Sequence, residues 1–246
     1  MLLLHGDCLE EMKQIEDHSV DLIFCDLPYG QTSCKWDCKI DLSKFWIEIM
    51  RVKKVHTPIF FTTTTKFGVD LINSAPKKCR FRYDLVWIKS SSTSFLLSKK
   101  MPMKKHEMIY VFYEKLPLYD LSSHTHKLMR SVPIAEKRTG KVGVDNKGMI
   151  KNNCKSGMET ITKYDPPLPT STLEINSIKS KKHSTEKPIA LMEWILKYYS
   201  KEGDIILDPT MGSGSTGVAC KNLNRNFIGI ELDEDIYQIA TSRLEL

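Results

Sequence analysis

The chain has 246 residues, 41% hydrophobic and 27% charged, with a formal net charge of +6. That length suits one large domain or one domain carrying a sizeable insertion, and the composition is that of a soluble globular protein. No apolar stretch approaches membrane-spanning length, and His5-Gly6-Asp7 follows the apolar Met1–Leu4 too soon for a signal peptide, so a cytoplasmic protein without a membrane partner is expected.

Met1–Leu4 reads as a short strand leading through Gly6-Asp7 into a helix near Cys8–Ile15. The run from Val20 to Cys25 is apolar and bounded by a Pro/Gly turn, the pattern of a buried parallel strand. It ends in Asp26-Leu27-Pro28-Tyr29-Gly30. In an open α/β sheet the loop at a strand's carboxyl end is where ligands bind. Asp26 can accept hydrogen bonds from an amino group, and Leu27, held extended by Pro28, presents a carbonyl that can accept another. Tyr29 offers a flat face for a planar base. Together these residues can hold a nucleobase amino group and leave its nitrogen nucleophilic. The same tetrapeptide would also make an ordinary Asp/Pro/Gly turn, so the rest of the chain must decide.

Asp41–Lys54 has helical periodicity, with Leu42, Phe45, Trp46, Ile49 and Met50 on one face. Pro58–Thr63 reads as a strand, Lys66–Asn73 as a short helix, and Phe81–Ile88 and Met108–Tyr113 as two further strands. Between those last two, Ser90–Lys105 carries four lysines and Phe95 and is expected as a mobile loop beside the active site. Residues 118–182 lose all periodicity and hold twelve Lys/Arg against six Asp/Glu, while the remainder holds 24 of each. The charge excess therefore sits in one segment, either an electrostatic footprint on nucleic acid or a solvated linker. The seven cysteines are scattered and read as reduced thiols, and His124-Thr125-His126 as loop residues, so no metal is expected.

Regularity returns at Lys187, where Pro188 suits the first turn of a helix running to about Tyr199. A strand at Asp204–Leu207 follows, then Asp208-Pro-Thr210-Met-Gly212-Ser213-Gly214, a helix to about Asn222, a strand at Phe227–Ile230 and a final helix from Glu234. Glycines between a buried strand and a helix let a ligand approach the backbone closely. Glu231, at the end of the next strand, is placed to grip ribose hydroxyls. Gly212, Gly214 and Gly217 match a dinucleotide fingerprint, which indicates an adenosine-type ligand better than it chooses between a nicotinamide dinucleotide and S-adenosylmethionine. Only one further strand and helix follow, which leaves no second mononucleotide half downstream.

Taken together, these residues resemble the amino-group DNA methyltransferases, which methylate exocyclic nitrogens of adenine or cytosine. Asp26-Leu-Pro-Tyr29 is similar to their catalytic D/N/S-P-P-Y motif, and Asp208–Gly214 to their cofactor loop. His183-Ser-Thr185-Glu-Lys187-Pro188 is similar to the H-P-T-Q-K-P segment near the cofactor's methionine end, with Ser184 and Glu186 in place of Pro and Gln. Gly6-Asp7-Cys8 resembles the start at which an aspartate meets the cofactor's adenine. The order catalytic motif, target-recognition region, cofactor motif is that of the β group. Trp36-Asp37, Trp87-Ile88-Lys89 and His106-Glu107 also resemble small phage and restriction–modification enzymes, although no role for them follows from physics.

The resemblance implies an α/β methyltransferase domain of Rossmann-like type, with a mixed, mostly parallel sheet. Its catalytic half would be residues 1–115 and its cofactor half 183–246, around a basic target-recognition insertion at 116–182. It implies S-adenosylmethionine as cofactor, held by Asp7, His183, Thr185, Lys187, Asp208, Thr210, Gly212, Ser213, Gly214 and Glu231. Asp26, Leu27, Pro28 and Tyr29 would act on an adenine N6 flipped out of double-stranded DNA. A homodimer and a cognate restriction endonuclease stay open as partners. Cytosine-N4 methylation, an RNA substrate, a dinucleotide-binding oxidoreductase and a non-catalytic DNA-binding protein are the rival readings.

Overall fold

The computed structural model describes residues 1–28, 40–93, 95–133, 158–177 and 186–244. In chain order the elements are β1 (Leu2–His5), α1 (Cys8–Glu11), β2 (Leu22–Cys25), α2 (Leu42–Val52), β3 (Ile59–Thr63), α3 (Thr65–Ser74), β4 (Arg80–Thr93) and β5 (Lys104–Tyr113). They continue as β6 (Thr125–Pro133), β7 (Met158–Asp165), β8 (Thr172–Glu174), α4 (Ile189–Tyr199), β9 (Ile205–Asp208), α5 (Ser215–Asn222), β10 (Asn226–Glu231) and α6 (Glu234–Leu244). Eight strands make one sheet in the order β1-β10-β9-β2-β3-β5-β4-β8. The first five are mutually parallel, β5 is antiparallel to both β3 and β4, and β8 is parallel to β4. This is the mixed, mostly parallel α/β sheet expected from the sequence.

The central strands are apolar because both their faces are covered. Every residue of β2 and β3 is buried. Phe61 and Phe60 point to opposite faces of β3, as strand alternation requires. On one face α2 packs Trp46 against Phe61 and Phe112, the three rings meeting pairwise at 5.5 Å. On the other, α4 brings Tyr199 to 5.0 Å from Phe60. Burying side chains of this size contributes about 1.5–3 kcal/mol each, enough to make β3 a rigid platform. The α2 helix starts where Asp41 caps it, its Oδ1 accepting from the Ser43 and Lys44 amides at 3.0 and 3.2 Å. Met50, expected on the buried face, is half-buried, and Val52 is fully buried.

The chain divides into two compact units, one of residues 1–120 and 170–246, the other of Leu121–Pro169. In the second unit β6 and β7 pair as an antiparallel ribbon, and His124 Nδ1 lies 2.8 Å from the Pro166 carbonyl oxygen. Among the described residues no helix is long and apolar enough to cross a membrane.

Three sequence expectations need correction. The helix expected over Cys8–Ile15 is an α-helix only to Glu11, and Met12–Gln14 tighten into a 3₁₀ turn. The loop expected at Ser90–Lys105 is largely the outer end of a hairpin, because β4 runs on to Thr93 and β5 begins at Lys104. Residues 118–182, expected to lack regular elements, contain β6, β7 and β8. These strands show no clear apolar alternation in the sequence, so β6 and β7 leave no pattern to read. The three-residue β8 is too short for one, yet it buries Leu173 beside β4, so residues 170–177 lie with the main sheet.

Candidate active site

From β9 the chain crosses through α5 to β10 on one side, and from β2 it crosses through α2 to β3 on the other. The two crossovers diverge and open a crevice at the carboxyl ends of the adjacent strands β9 and β2, the usual ligand position in an open α/β sheet. Asp26 follows β2 directly, Asp208 ends β9 and Glu231 ends β10. Pairing of His5 with Glu231 brings Gly6-Asp7 to the same edge from the other end of the chain. The sheet thus gathers Asp7, Asp26, Asp208 and Glu231, four carboxylates scattered along nearly the whole sequence, on one rim.

On the β9 side the loop after Asp208 is tied down by those acids. Gly212 and Gly214 sit at φ +53° and +79°, left-handed conformations that strain any residue with a Cβ. The turn they make lets the Gly212 amide donate to Glu231 Oε2 at 3.0 Å, while Oε1 accepts from the Asp233 amide at 2.9 Å. Asp208, only 2% exposed, accepts from the Thr216 hydroxyl at 2.6 Å and the Thr210 amide at 3.2 Å. Burial pushes the Asp208 carboxyl up to about 7 and raises that of Glu231. Arg243, in the last turn of α6, donates to the Ser213 carbonyl at 3.1 Å and pairs with the buried Glu186 at 2.7 Å. That pair joins the loop to the start of α4 and gives Glu186 a partner that a glutamine would meet without charge.

Two features of this loop suit an adenosine-bearing ligand such as S-adenosylmethionine. The Thr210 hydroxyl is buried and has no hydrogen-bond partner. A Cβ built on Gly212 would meet nothing within 4 Å, so open space lies over that backbone. Asp7 is exposed and caps α1, accepting from the Leu9 amide at 2.8 Å. Burial pushes the Cys8 thiol up to about 12 and the Cys25 thiol well above its ordinary value. The cysteines beside Asp7 and Asp26 are therefore protonated and unsuited to nucleophilic chemistry.

On the β2 side the contacts are ionic and come from distant segments. Thr62, from β3, donates its hydroxyl to Asp26 Oδ1, and the Lys187 ammonium donates to Oδ2. Lys187 also lies 3.8 Å from Glu107 of β5, whose other oxygen pairs with Lys89 of β4. Burial disfavours the Lys187 ammonium, but Asp26 and Glu107 outweigh it and hold its pKa above the usual lysine value. The result is an alternating chain of charges, Lys89, Glu107, Lys187, Asp26, which fixes the orientation of the Asp26 carboxylate. Lys89 sits over the Trp87 ring at 5.3 Å, and Trp87 Nε1 donates to the Ile175 carbonyl at 2.8 Å. Leu27 is fully buried in the core, and Pro28 is half-buried.

Lys187, which the resemblance places at the cofactor, has its described contacts with Asp26 and Glu107. Asp208 uses its carboxylate to close the loop. Tyr29, Trp36, His183 and Thr185 lie outside the described residues. Sequence reading missed Thr62 and Arg243, which carry no local signal. It left Lys89 and Glu107 without roles, although both lie in the Trp87–Lys89 and His106-Glu107 motifs.

A crevice with an acid-stapled glycine loop on one wall and an ionically held Asp-Leu-Pro turn on the other defines an α/β group-transfer enzyme. The chain belongs to the DNA methylase family of N6 and N4 methyltransferases, whose profile matches residues 20–242. It is 26% identical over 252 residues to the type II methyltransferase M.HpaI of Haemophilus parainfluenzae, covering 99% of this chain and 74% of that protein. It is 27% identical over 255 residues to the DNA adenine methyltransferase YhdJ of Escherichia coli K12, covering 99% and 82%. Among solved structures, the M1.HpyAVI complex with S-adenosylmethionine superposes with a TM-score of 0.66 at 22% identity over 100% of this chain and 99% of that one. That likeness establishes the fold.

Proposed function

We propose that this protein transfers a methyl group from S-adenosylmethionine to the N6 amino group of adenine in double-stranded DNA. The observation that carries this reading is the Asp26 carboxylate, held by Thr62 and Lys187 at the switch crevice beside the Leu27 carbonyl position. The names of the relatives support it: YhdJ is an adenine methyltransferase and M.HpaI a type II methyltransferase.

Adenine N6 is a weak nucleophile because its lone pair is delocalised into the ring. Hydrogen bonds from the amino group to the Asp26 carboxylate and the Leu27 carbonyl favour a pyramidal nitrogen, and Asp26 stabilises the positive charge that grows there until an N6 proton is lost to solvent during or after transfer. When bound, S-adenosylmethionine supplies an electrophilic methyl. Glu231, Asp7, Thr210 and the Gly212 backbone would hold its adenosine part, and Arg243 keeps that loop closed. The base reaches the crevice only outside the helical stack, so flipping onto Tyr29 belongs to the proposal. The basic residues of the insertion hold phosphates, and neutralising Lys137, Arg138 and Lys141 together would then flatten the salt dependence of DNA binding.

The family profile spans N6 and N4 enzymes, and cytosine-N4 is the second reading. A serine commonly heads the catalytic tetrapeptide of N4 enzymes, and Asp26 favours adenine. The test is transfer of labelled methyl to DNA, followed by nucleoside analysis. N6-methyladenine is the expected product; label on N4-methylcytosine would overturn the substrate, and no transfer to any DNA would overturn the function. Sequencing the methylated positions then gives the site, and a gene for an endonuclease cutting that site would supply the restriction partner.

A further inference from the structure

The hairpin of β4 and β5 reaches past the active edge of the sheet. Thr63, the last residue of β3, is level with Met108 of β5, and Asp26 is level with Thr62 through their hydrogen bond. Lys104 begins β5 four residues before Met108, roughly 13 Å farther out at strand rise. β4 is parallel to β2 and β3, so its carboxyl end and the turn beyond it project from the rim that carries Asp26.

This outer hairpin has an unusual surface. Phe95 is 76% exposed and Leu96 96%, and Met101 and Met103 are about half exposed. Single exposed apolar residues are ordinary, but these four, with Leu97 exposed beside them, mark a contact surface on one tip. The tip is held in shape by its own backbone: Ser98 donates to Phe95 at 3.0 Å, and Lys100 and Met101 to Leu97 at 2.8 and 3.0 Å. Residues 89–106 contain five lysines and no Asp or Glu. Among the described residues, Lys89 is paired with Glu107, and no ion pair engages Lys99, Lys100, Lys104 or Lys105. Counting charge by long segments hides this, because acids elsewhere cancel it.

We propose that this hairpin docks into duplex DNA beside the target base, with Lys99, Lys100, Lys104 and Lys105 on phosphates and Phe95 and Leu96 wedged against the base stack. The proposal rests on the DNA methyltransferase reading and adds the element that opens the duplex. Apolar side chains inserted at a base step unstack it, and extruding a base requires that cost to be met. Charge argues for a polyanion as occupant: a symmetric pairing of two such hairpins would set their lysines against one another with no acid between them.

Two variants test it in the full-length protein. Lys99→Gln/Lys100→Gln/Lys104→Gln/Lys105→Gln should lower the slope of log Kd against log salt by about 0.9 for each phosphate no longer neutralised, with S-adenosylmethionine affinity unchanged. Phe95→Ser/Leu96→Ser should lose about tenfold or more in kcat/KM on a duplex, but far less when the target adenine already faces an abasic gap. Equal salt slopes, or equal losses on the paired and gapped substrates, would overturn the proposal. So would sedimentation showing a wild-type dimer that the Phe95/Leu96 variant dissolves, because the tip would then be covered by a second copy. Failure of the wild type to methylate any DNA would sink the proposed function instead, and the binding slopes would still report on the hairpin without turnover.

Discussion

The two walls of the crevice are built by different physics. The β9–β10 wall is closed mainly by hydrogen bonds within one short stretch of chain, from Thr210 and Thr216 to Asp208 and from Gly212 and Asp233 to Glu231, with the Arg243–Glu186 pair tying that loop to the start of α4. The β2 wall is closed by ion pairs between segments as far apart as Asp26 and Lys187. A hydrogen-bonded loop holds a ligand passively and loses affinity when damaged. An ionic array around one carboxylate fixes its orientation, and damage there should reach the chemical step. Substitutions on the two walls should therefore separate kcat from cofactor binding.

The largest effect belongs to Asp26→Ala. Removing the acceptor that matters most as N6 becomes nucleophilic should lower kcat by about 10²–10⁴-fold, with S-adenosylmethionine affinity held nearly constant by the other wall. Single-turnover methylation and calorimetry give the two numbers, and near-normal turnover would remove Asp26 from the chemistry. Leu27→Ala tests its neighbour in the opposite sense. The Leu27 side chain is core, so its loss should cost about 2–5 kcal/mol of folding stability in denaturant titration. Activity per folded molecule should survive, because the proposal assigns only the Leu27 carbonyl to the base. The same burial makes Leu27→Pro, the change to the family's residue, a packing change as well as a backbone one.

The difference between the walls also governs what could be read from the sequence. Asp208, Gly212, Gly214 and Glu231 are legible because a strand, a glycine turn and the next strand place them by local rules. Asp7 joins them because parallel pairing of two strand-like segments has few alternatives. The contact of Lys187 with Asp26 is not legible, since no local rule connects the two across 161 positions. Thr62 and Arg243 carry no local signal; only the sheet order and the packing of α6 give them partners. The hairpin of β4 and β5 was read short because its outer part has polar residues on both faces, and strand pairing without burial has no periodic signature.

The acid-stapled wall predicts a pH signature of its own. The folded pKa of Asp208 is raised to about 7 from an ordinary 3.8, so the folded protein keeps a proton that the unfolded chain has released. Stability should fall as pH rises from about 4 to about 7, by at most about 1.4 kcal/mol per pH unit from this group, and then level off. Asp208→Asn should remove that slope, measured as urea midpoints across the window; an unchanged slope would mean that another group carries it. On the ligand side, Glu231→Gln keeps an acceptor for the Gly212 amide but removes the charge, and should weaken S-adenosylmethionine binding by about 1–3 kcal/mol with little change in kcat.

The smallest effect tests the ionic wall at its far end. Glu107→Gln keeps the shape of the side chain and removes one of the two carboxylates that hold the Lys187 ammonium. The groups facing Lys187 are Asp26 on the β2 loop, Glu107 on β5 and, farther off, Asp208 at the end of β9; Lys89 faces Glu107 from β4. With Glu107 neutral, burial weighs more heavily against the Lys187 charge, and its pKa must move down. Neutral Lys187 no longer presents a cation to Asp26, so turnover should begin to fall at lower pH than in the wild type. At neutral pH the loss should be modest, about three- to tenfold in kcat, the scale of one charge pair felt through an intermediate group. KM for DNA and cofactor affinity should stay close to wild type. A reduced kcat with the alkaline limb of the pH–rate profile unmoved would mean that Glu107 merely braces the base of the hairpin. A limb shifted toward lower pH would identify it as the positioning residue through which Lys187 holds Asp26.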